Sequence, residues 1–272
     1  GMGALATELG HVERLYLWAL SPNPASMMWW MSVFYIIYVT VITVEFINIK
    51  RNKHSKGLMW TAFIVAILTH STLGALFGTI EQRFYYYSDL LPIYFLIIAF
   101  LTGSAIVSIV AAISVKQSPA NDSSLLKPMR NFLGIGLGLA FLLTSWRLLI
   151  GIYGQAEGSH IFELTIWNQI IVGLFLATVL PFIMILYLKG PNGLIITGVF
   201  IMAVQLKTRL DLISGGFKIP LFRAYDIPEI ISYTPSHVEF FILIACVSFV
   251  AFLYIFADKV GIFEFNQKRE EI

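Results

Sequence analysis

A histidine at depth in an apolar run is the residue best suited to chemistry in this sequence. His70 lies between Gly57 and Ile80, a run long enough to cross a bilayer as a helix. An imidazole titrates near neutral pH, so it can donate a hydrogen bond to a ligand carbonyl or take up a proton. The simpler interpretation is a neutral imidazole that hydrogen-bonds a neighbouring helix. Ser71 can share either task or bond only its own helix.

Further charged side chains lie near the ends of later apolar runs. Arg147 must stay charged, so it needs a carboxylate, a carbonyl ligand or a path to the interface. Glu163, at the start of the next run, is the natural ion-pair candidate for it, and Asn168 follows further in. Arg209 and Asp211 form either a second pair or simple terminal charges.

Glu45 stands near the end of the first long apolar run. As an interfacial carboxylate it would reach water without any special role. In the functional interpretation, Glu45 would be the entrance, on the inner side of the membrane, of a proton route that leads toward His70. Tilt and neighbouring helices decide between these two interpretations.

Metal and haem chemistry held by this chain alone is not expected. The lone Cys246 permits no internal disulfide and no cysteine-ligated iron–sulfur cluster or zinc. Among five histidines only His70 is deep, which argues against a bis-histidine haem. The last apolar run, 238–256, contains no lysine, so a retinal Schiff base there is also excluded.

Composition predicts an all-α, polytopic transmembrane bundle. Of 272 residues, 58% are hydrophobic and only 12% are charged, half the usual share of a soluble domain. We predict about seven spanning helices, because only helices and closed barrels satisfy backbone groups in lipid. They cover Met27–Ile49, Gly57–Ile80, Leu91–Val115, Met129–Tyr153, Phe162–Leu188, Gly193–Leu212 and Val238–Phe256. The chain is expected to be one membrane domain, with the bundle at 27–257.

The distribution of Lys and Arg predicts the orientation. Connections on the side of the C-terminal tail carry 11 of these residues, and the opposite side carries six. By the positive-inside rule the tail, 258–272, is cytoplasmic and residues 1–26 lie outside. The long segments 4–26 and 213–237 then share the outer face, which is the expected docking surface for a partner.

Small residues predict where helices approach closely. His70, Gly74 and Gly78 lie in one row of a helix, so the imidazole should face other helices rather than lipid. Gly134 and Gly138 predict a second close helix contact. With no strand before them, they are not a nucleotide loop.

Several motifs, in order along nearly the whole chain, resemble the NrfD/polysulfide reductase membrane-subunit family. The first group is Glu8-Leu9-Gly10-His11, Ser21-Pro22-Asn23-Pro24, Met28-Trp29-Trp30-Met31 and Glu45-Phe46. The second group, His70-Ser71-Thr72-Leu73-Gly74-Ala75-Leu76, Leu90-Leu91-Pro92 and Tyr233-Thr234-Pro235-Ser236, is similar to the branch with the large membrane subunit of quinone-reactive hydrogenases. The resemblance also implies that one or two helices precede residue 1.

The resemblance implies a haem-free membrane subunit of a respiratory oxidoreductase complex. Such a subunit exchanges electrons between menaquinone or ubiquinone and a ferredoxin-like iron–sulfur subunit or a multihaem cytochrome c on the outer face, with further catalytic subunits. It would lie in the bacterial inner membrane and bind no nucleic acid. By motif match, the family's quinone-site residues correspond to His70, Glu45 and Glu8. From the residues themselves, we expect Ser71, Arg147 and Glu163 to join His70 in binding the quinone, and His11 joins Glu45 and Glu8 as a proton-transfer candidate. Trp146-Arg147 stand where many relatives are expected to have an acidic residue. A passive anchor without a quinone site and a small-solute transporter remain the alternatives.

Overall fold

The computed structural model describes residues 12–14, 16–53, 55–80, 88–117, 123–154, 166–218 and 236–260. These residues form helices and connecting turns, and no strand occurs among them. Seven helices are long and apolar enough to cross a membrane. They are α1 (Met27–Lys50), α2 (Lys56–Gly78), α3 (Leu91–Gln117), α4 (Leu126–Tyr153), α5 (Ile166–Tyr187), α6 (Gly190–Phe217) and α7 (His237–Lys259).

The prediction of an all-α, multi-pass membrane protein is confirmed, with one boundary in error. The segment 213–237 was predicted to lie outside the membrane, but α6 continues to Phe217 and includes Gly215 and Gly216. Both glycines are buried in the helix. Close packing of the last turn therefore outweighs the weak helix propensity of glycine.

The chain divides into two compact units. The first comprises 1–69 and 233–272, and the second comprises 70–232. In the first unit, the Thr69 hydroxyl lies 3.3 Å from the carbonyl of Phe34, so α1 and α2 touch there. In the second unit, α3 packs between α4 and α6, and its buried side chains include Leu101 and Ala105.

Glycine contacts confirm the close approach of the end of α2 to the start of α3. A Cβ at Gly74 would lie 2.6 Å from Cα of Pro92, and one at Gly78 would lie 2.8 Å from the carbonyl oxygen of Ser88. The predicted contact of Gly134 and Gly138 is wrong, because a Cβ at either would meet nothing within 4 Å. Gly136 makes that contact instead, against Leu101 of α3.

We expect Gly74→Ala to destabilise the protein by about 1–2 kcal/mol, since the added methyl must push against the backbone of Pro92. Gly134→Ala is the matched control, and we expect no loss because its surroundings are open. Thermal unfolding in detergent measures both variants. Equal melting temperatures for the two variants would contradict the close contact.

The helix α5 departs from α-helical geometry over half of its length. Gln169–Val179 form a π-helix, which is rare beyond one turn. Pro181 follows and has no N–H to donate to the carbonyl of Ala177, four residues earlier. The buried Gln205 of α6 lies with Nε2 3.5 Å from that carbonyl. The carbonyl left without a backbone donor is thus met by a protein side chain, as a lipid environment requires.

An arginine holds the connection between α5 and α6. The Arg130 guanidinium of α4 donates to the carbonyl of Leu188 at 2.6 Å and approaches those of Ile185 and Gly190 at 3.5 Å. These carbonyls lie where α5 ends and lacks backbone donors. The contact therefore ties α4 to the connection between α5 and α6.

Candidate functional site: a polar cavity among four helices

His70 is half-buried at the start of the second unit. It precedes Gly74 by one turn, about 6 Å along the axis, and shares its helix face. Since Gly74 faces the backbone of α3, the imidazole points to the protein side of α2. Ser71 and Thr72 beside it are also half-buried.

An aromatic cluster joins the end of α2 to α3 and α6. Leu73 and Phe77 of α2 pack against a buried group formed by Leu91, Phe95 and Leu212. The rings of Phe77 and Phe95 are stacked, with centroids 5.9 Å apart. The Arg209 guanidinium lies 4.2 Å from the centroid of the Phe95 ring, a cation–π contact. This contact holds the Arg209 charge of α6 at the level of the first turns of α3.

A polar cavity lies among α3, α4, α5 and α6 in the second unit. Its polar lining comes from Tyr94, Thr144, Arg147, Asn168, Gln169, Thr208 and Asp211. The Arg147 guanidinium lies 5.8 Å from the centroid of the Tyr94 ring. Gln169 and Gly173 belong to the π-helix of α5, so the irregular segment forms one wall. Ionisable groups inside spanning helices are costly and therefore mark functional sites.

Asp211 is the carboxylate of this cavity and has two neighbours. Lys207, one turn earlier on α6, forms an ion pair with it, and Nδ2 of Asn168 lies 3.4 Å from its Oδ2. Of the two alternatives for Arg209 and Asp211, the structure therefore does not support a pair between them. Residues two apart point to different faces of a helix, whereas residues four apart share one. Arg209 instead lies over Phe95.

Polar side chains continue from the cavity toward the middle of α6. The Thr208 hydroxyl donates to the carbonyl of Gln205 at 2.9 Å and lies 3.2 Å from Oε1 of that side chain. Gln205 is 2% exposed and reaches the Ala177 carbonyl of α5. Asp211, Thr208 and Gln205 thus form a polar line over about 9 Å of helix.

The size of the cavity limits what it can hold. Its free volume is about 30 Å³, which is room for one or two water molecules. A quinone ring does not fit that space. With a carboxylate, two amides, a phenol and a guanidinium around it, the cavity is suited to ordering water and moving protons.

The other predicted site residues are separate from the cavity or outside the described residues. Glu8, His11 and Glu163 lie outside the described residues, so the Arg147–Glu163 pair stays a prediction. Glu45 is half-buried in the first unit and borders an open pocket at the end of α1. His70 and Ser71 do not line the cavity around Arg147.

Sequence reasoning missed several residues of the cavity. Tyr94 was not singled out, because tyrosine at a helix start is usually an interfacial anchor. Thr208 and Gln205 were missed too, although their three-residue spacing from one another and from Asp211 places all three on one helix face. A search for polar residues at that spacing inside predicted spans would have found them.

Comparison with known proteins gives one family and one relative. The sequence profile of the family described as polysulphide reductase, NrfD matches residues 1–219. A protein of Mesobacillus selenatarsenatis, named as a selenate reductase subunit, is 24% identical over 328 aligned positions. The alignment covers 99% of this chain and 75% of that protein. No solved structure matches the chain.

Proposed function

The chain belongs to the polysulphide reductase, NrfD family, and from this premise we propose that it is the quinone-reactive membrane subunit of a reductase complex. The quinone would be menaquinone or ubiquinone. Seven spanning helices and a relative named as a subunit of a selenate reductase support a membrane subunit with catalytic partners. The observation that carries the proposal is an imidazole deep in a spanning helix that faces protein.

We assign the quinone ring to the His70 face of α2. Gly74 and Gly78 share that face, which turns the imidazole toward α3. The imidazole can donate a hydrogen bond to a ring carbonyl, or accept a proton when a quinol is oxidised. Ser71, the next residue, supplies a hydroxyl at nearly the same depth. Quinone reduction takes up two electrons and two protons, so the site needs a proton supply as well as a hydrogen-bond donor.

We assign the supply and release of protons to the polar cavity rather than to the His70 face that binds the quinone ring. The cavity accommodates water, and Asp211 is a carboxylate beside Asn168 and Lys207. Arg147 therefore acts in this proposal as a fixed positive charge that holds water and carboxylate in place, since arginine does not lose its proton. Glu163 and Glu45, with Glu8 and His11, remain candidates for proton transfer.

The proposed partners follow from the predicted orientation. With the C-terminus in the cytoplasm of a bacterium, the ends of α3, α4, α5 and α6 near the cavity lie at the outer face of the inner membrane. An iron–sulfur subunit or a multihaem cytochrome c docked on that face would receive or deliver the electrons. Passive anchoring without a quinone site is the competing assignment.

Photolabelling with an azidoquinone tests the location of the ring in the purified complex. We expect the label on peptides that contain His70–Gly78 or Leu91–Phe95, and we expect excess quinone to suppress it. The exposed helix α7 provides the internal control for labelling from the lipid phase. Uniform labelling of all spans that excess quinone does not suppress would exclude the quinone site.

A further inference from the structure

The turn between α1 and α2 is closed by backbone hydrogen bonds. The N–H of Lys53 donates to the carbonyl of Asn48 at 2.8 Å, and that of Asn52 to Ile49 at 2.9 Å. Asn52 has φ of 55°, the left-handed conformation that asparagine tolerates better than most residues. The turn therefore holds its side chains in a defined place at the ends of both helices.

An open pocket of about 250 Å³ lies at this turn, within the first unit. Its lining includes three apolar residues, Ile49, Leu58 and Met59. Two lysines, Lys53 and Lys56, also line it. The pocket is amphiphilic, with an apolar surface next to two cations.

The positive charge of the pocket is not neutralised by its own residues. Lys50 and Arg51 lie in the same turn, and the lining holds one carboxylate, Glu45. Among the described residues, neither Lys53 nor Lys56 lies within 4 Å of a carboxylate oxygen. An excess of cations beside an open pocket favours an anionic ligand.

The depth of the pocket points to the headgroup level of a bilayer. It lies where two spanning helices end, and Trp60 follows Met59 with 61% of its surface exposed. Exposed tryptophan at the end of a spanning helix marks the membrane–water interface. A ligand at this level can place a charged group in water and a chain in the bilayer.

We propose that this pocket binds an anionic phospholipid. The phosphate lies between Lys53 and Lys56, and the first part of an acyl chain lies along Ile49, Leu58 and Met59. A free phosphate ion could bind the two lysines but has no apolar part to contact Ile49, Leu58 and Met59. Glu45 repels the headgroup and limits the affinity.

Native mass spectrometry of the purified chain in neutral detergent tests this site. Dioleoylphosphatidylglycerol is titrated against the chain, and the zwitterionic dioleoylphosphatidylcholine serves as the comparison lipid. We expect Lys53→Gln or Lys56→Gln to weaken phosphatidylglycerol binding about 5-fold, and the double variant about 25-fold, as expected for about 1 kcal/mol per lysine at a membrane surface. Glu45→Gln should strengthen it a few-fold, because a repelling charge is removed.

Lys116→Gln, an exposed lysine at the end of α3, is the matched control and should bind like wild type. Unchanged melting temperatures without lipid exclude misfolding as the cause, and the Glu45→Gln variant tests the site in the opposite direction. Equal affinity for the two lipids, or equal affinity of the double variant and wild type, would overturn the proposal. Displacement of phosphatidylglycerol by millimolar inorganic phosphate would also overturn it, by identifying a free-anion site.

Discussion

The His70→Ala variant is expected to lose quinone-linked electron transfer at least 100-fold while the complex still assembles. A positioned acid or base contributes about two to four orders of magnitude to a proton-coupled step. Alanine removes both the hydrogen bond to the ring and the proton acceptor, and it leaves the Gly74 contact in place. Stopped-flow spectroscopy of the quinol-dependent redox change at the metal centres of the complex measures the effect.

Two further variants separate a ring contact from a structural role. His70→Gln keeps a hydrogen-bond donor of similar length but cannot accept a proton, so we expect quinone binding to be retained while electron transfer is only partly restored. His237→Ala removes an exposed histidine at the start of α7 and should leave the rate unchanged. Full electron transfer in His70→Ala, with normal assembly, would exclude a role of His70 in the quinone reaction.

The Asp211→Asn variant is expected to lower the stability of the protein by about 1–2 kcal/mol, which is less than the loss of a fully buried charge partner would cost. Asp211 is the carboxylate of a cavity that Arg147 also lines, and its side chain is 21% exposed, whereas that of its ion-pair partner Lys207 is 56% exposed. Asparagine preserves the shape and the hydrogen-bonding capacity toward Asn168 but removes the charge. Loss of the carboxylate leaves the half-buried Arg147 charge with its desolvation penalty, while the exposed Lys207 contributes little. Thermal unfolding in detergent measures the change.

A double-mutant cycle identifies the origin of that loss. If Asp211 stabilises the Arg147 charge, then Arg147→Met combined with Asp211→Asn should recover more than half of the stability lost in Asp211→Asn. Asp258→Asn, at an exposed position in the last turn of α7, is the control and should change little. Additive losses in the double variant would show that the two charges act independently.

The helices could be predicted from composition because lipid leaves few options for the backbone. Long apolar runs between charged connections can only be spanning helices or barrel strands, and their length selects helices. The row of Gly74 and Gly78 also predicted a real contact, since residues four apart share a helix face whatever the partner. His70 could be assigned to the protein side of α2 for the same reason.

Predictions that depended on which helices are neighbours failed more often. Gly134 and Gly138 have the spacing of a contact pair, but Gly136 faces Leu101 of α3. Spacing along one helix does not say on which side its neighbour lies. Arg209 illustrates the same limit, because its partner is the ring of Phe95 on α3. The Lys207–Asp211 pair, by contrast, follows from four-residue spacing within α6.

By itself, the sequence determined seven spans, the depth of His70 and the helix face on which it lies, since these follow from hydropathy and from the period of one helix. Only the tertiary structure decided that Tyr94, Arg147, Asn168 and Asp211 line one cavity. Four helices must meet to form it, and part of one wall is the π-helix Gln169–Val179, whose period differs from that of the α-helix assumed in sequence reasoning. Contacts between distant segments and a local change of helical period are set by packing, which no single segment encodes.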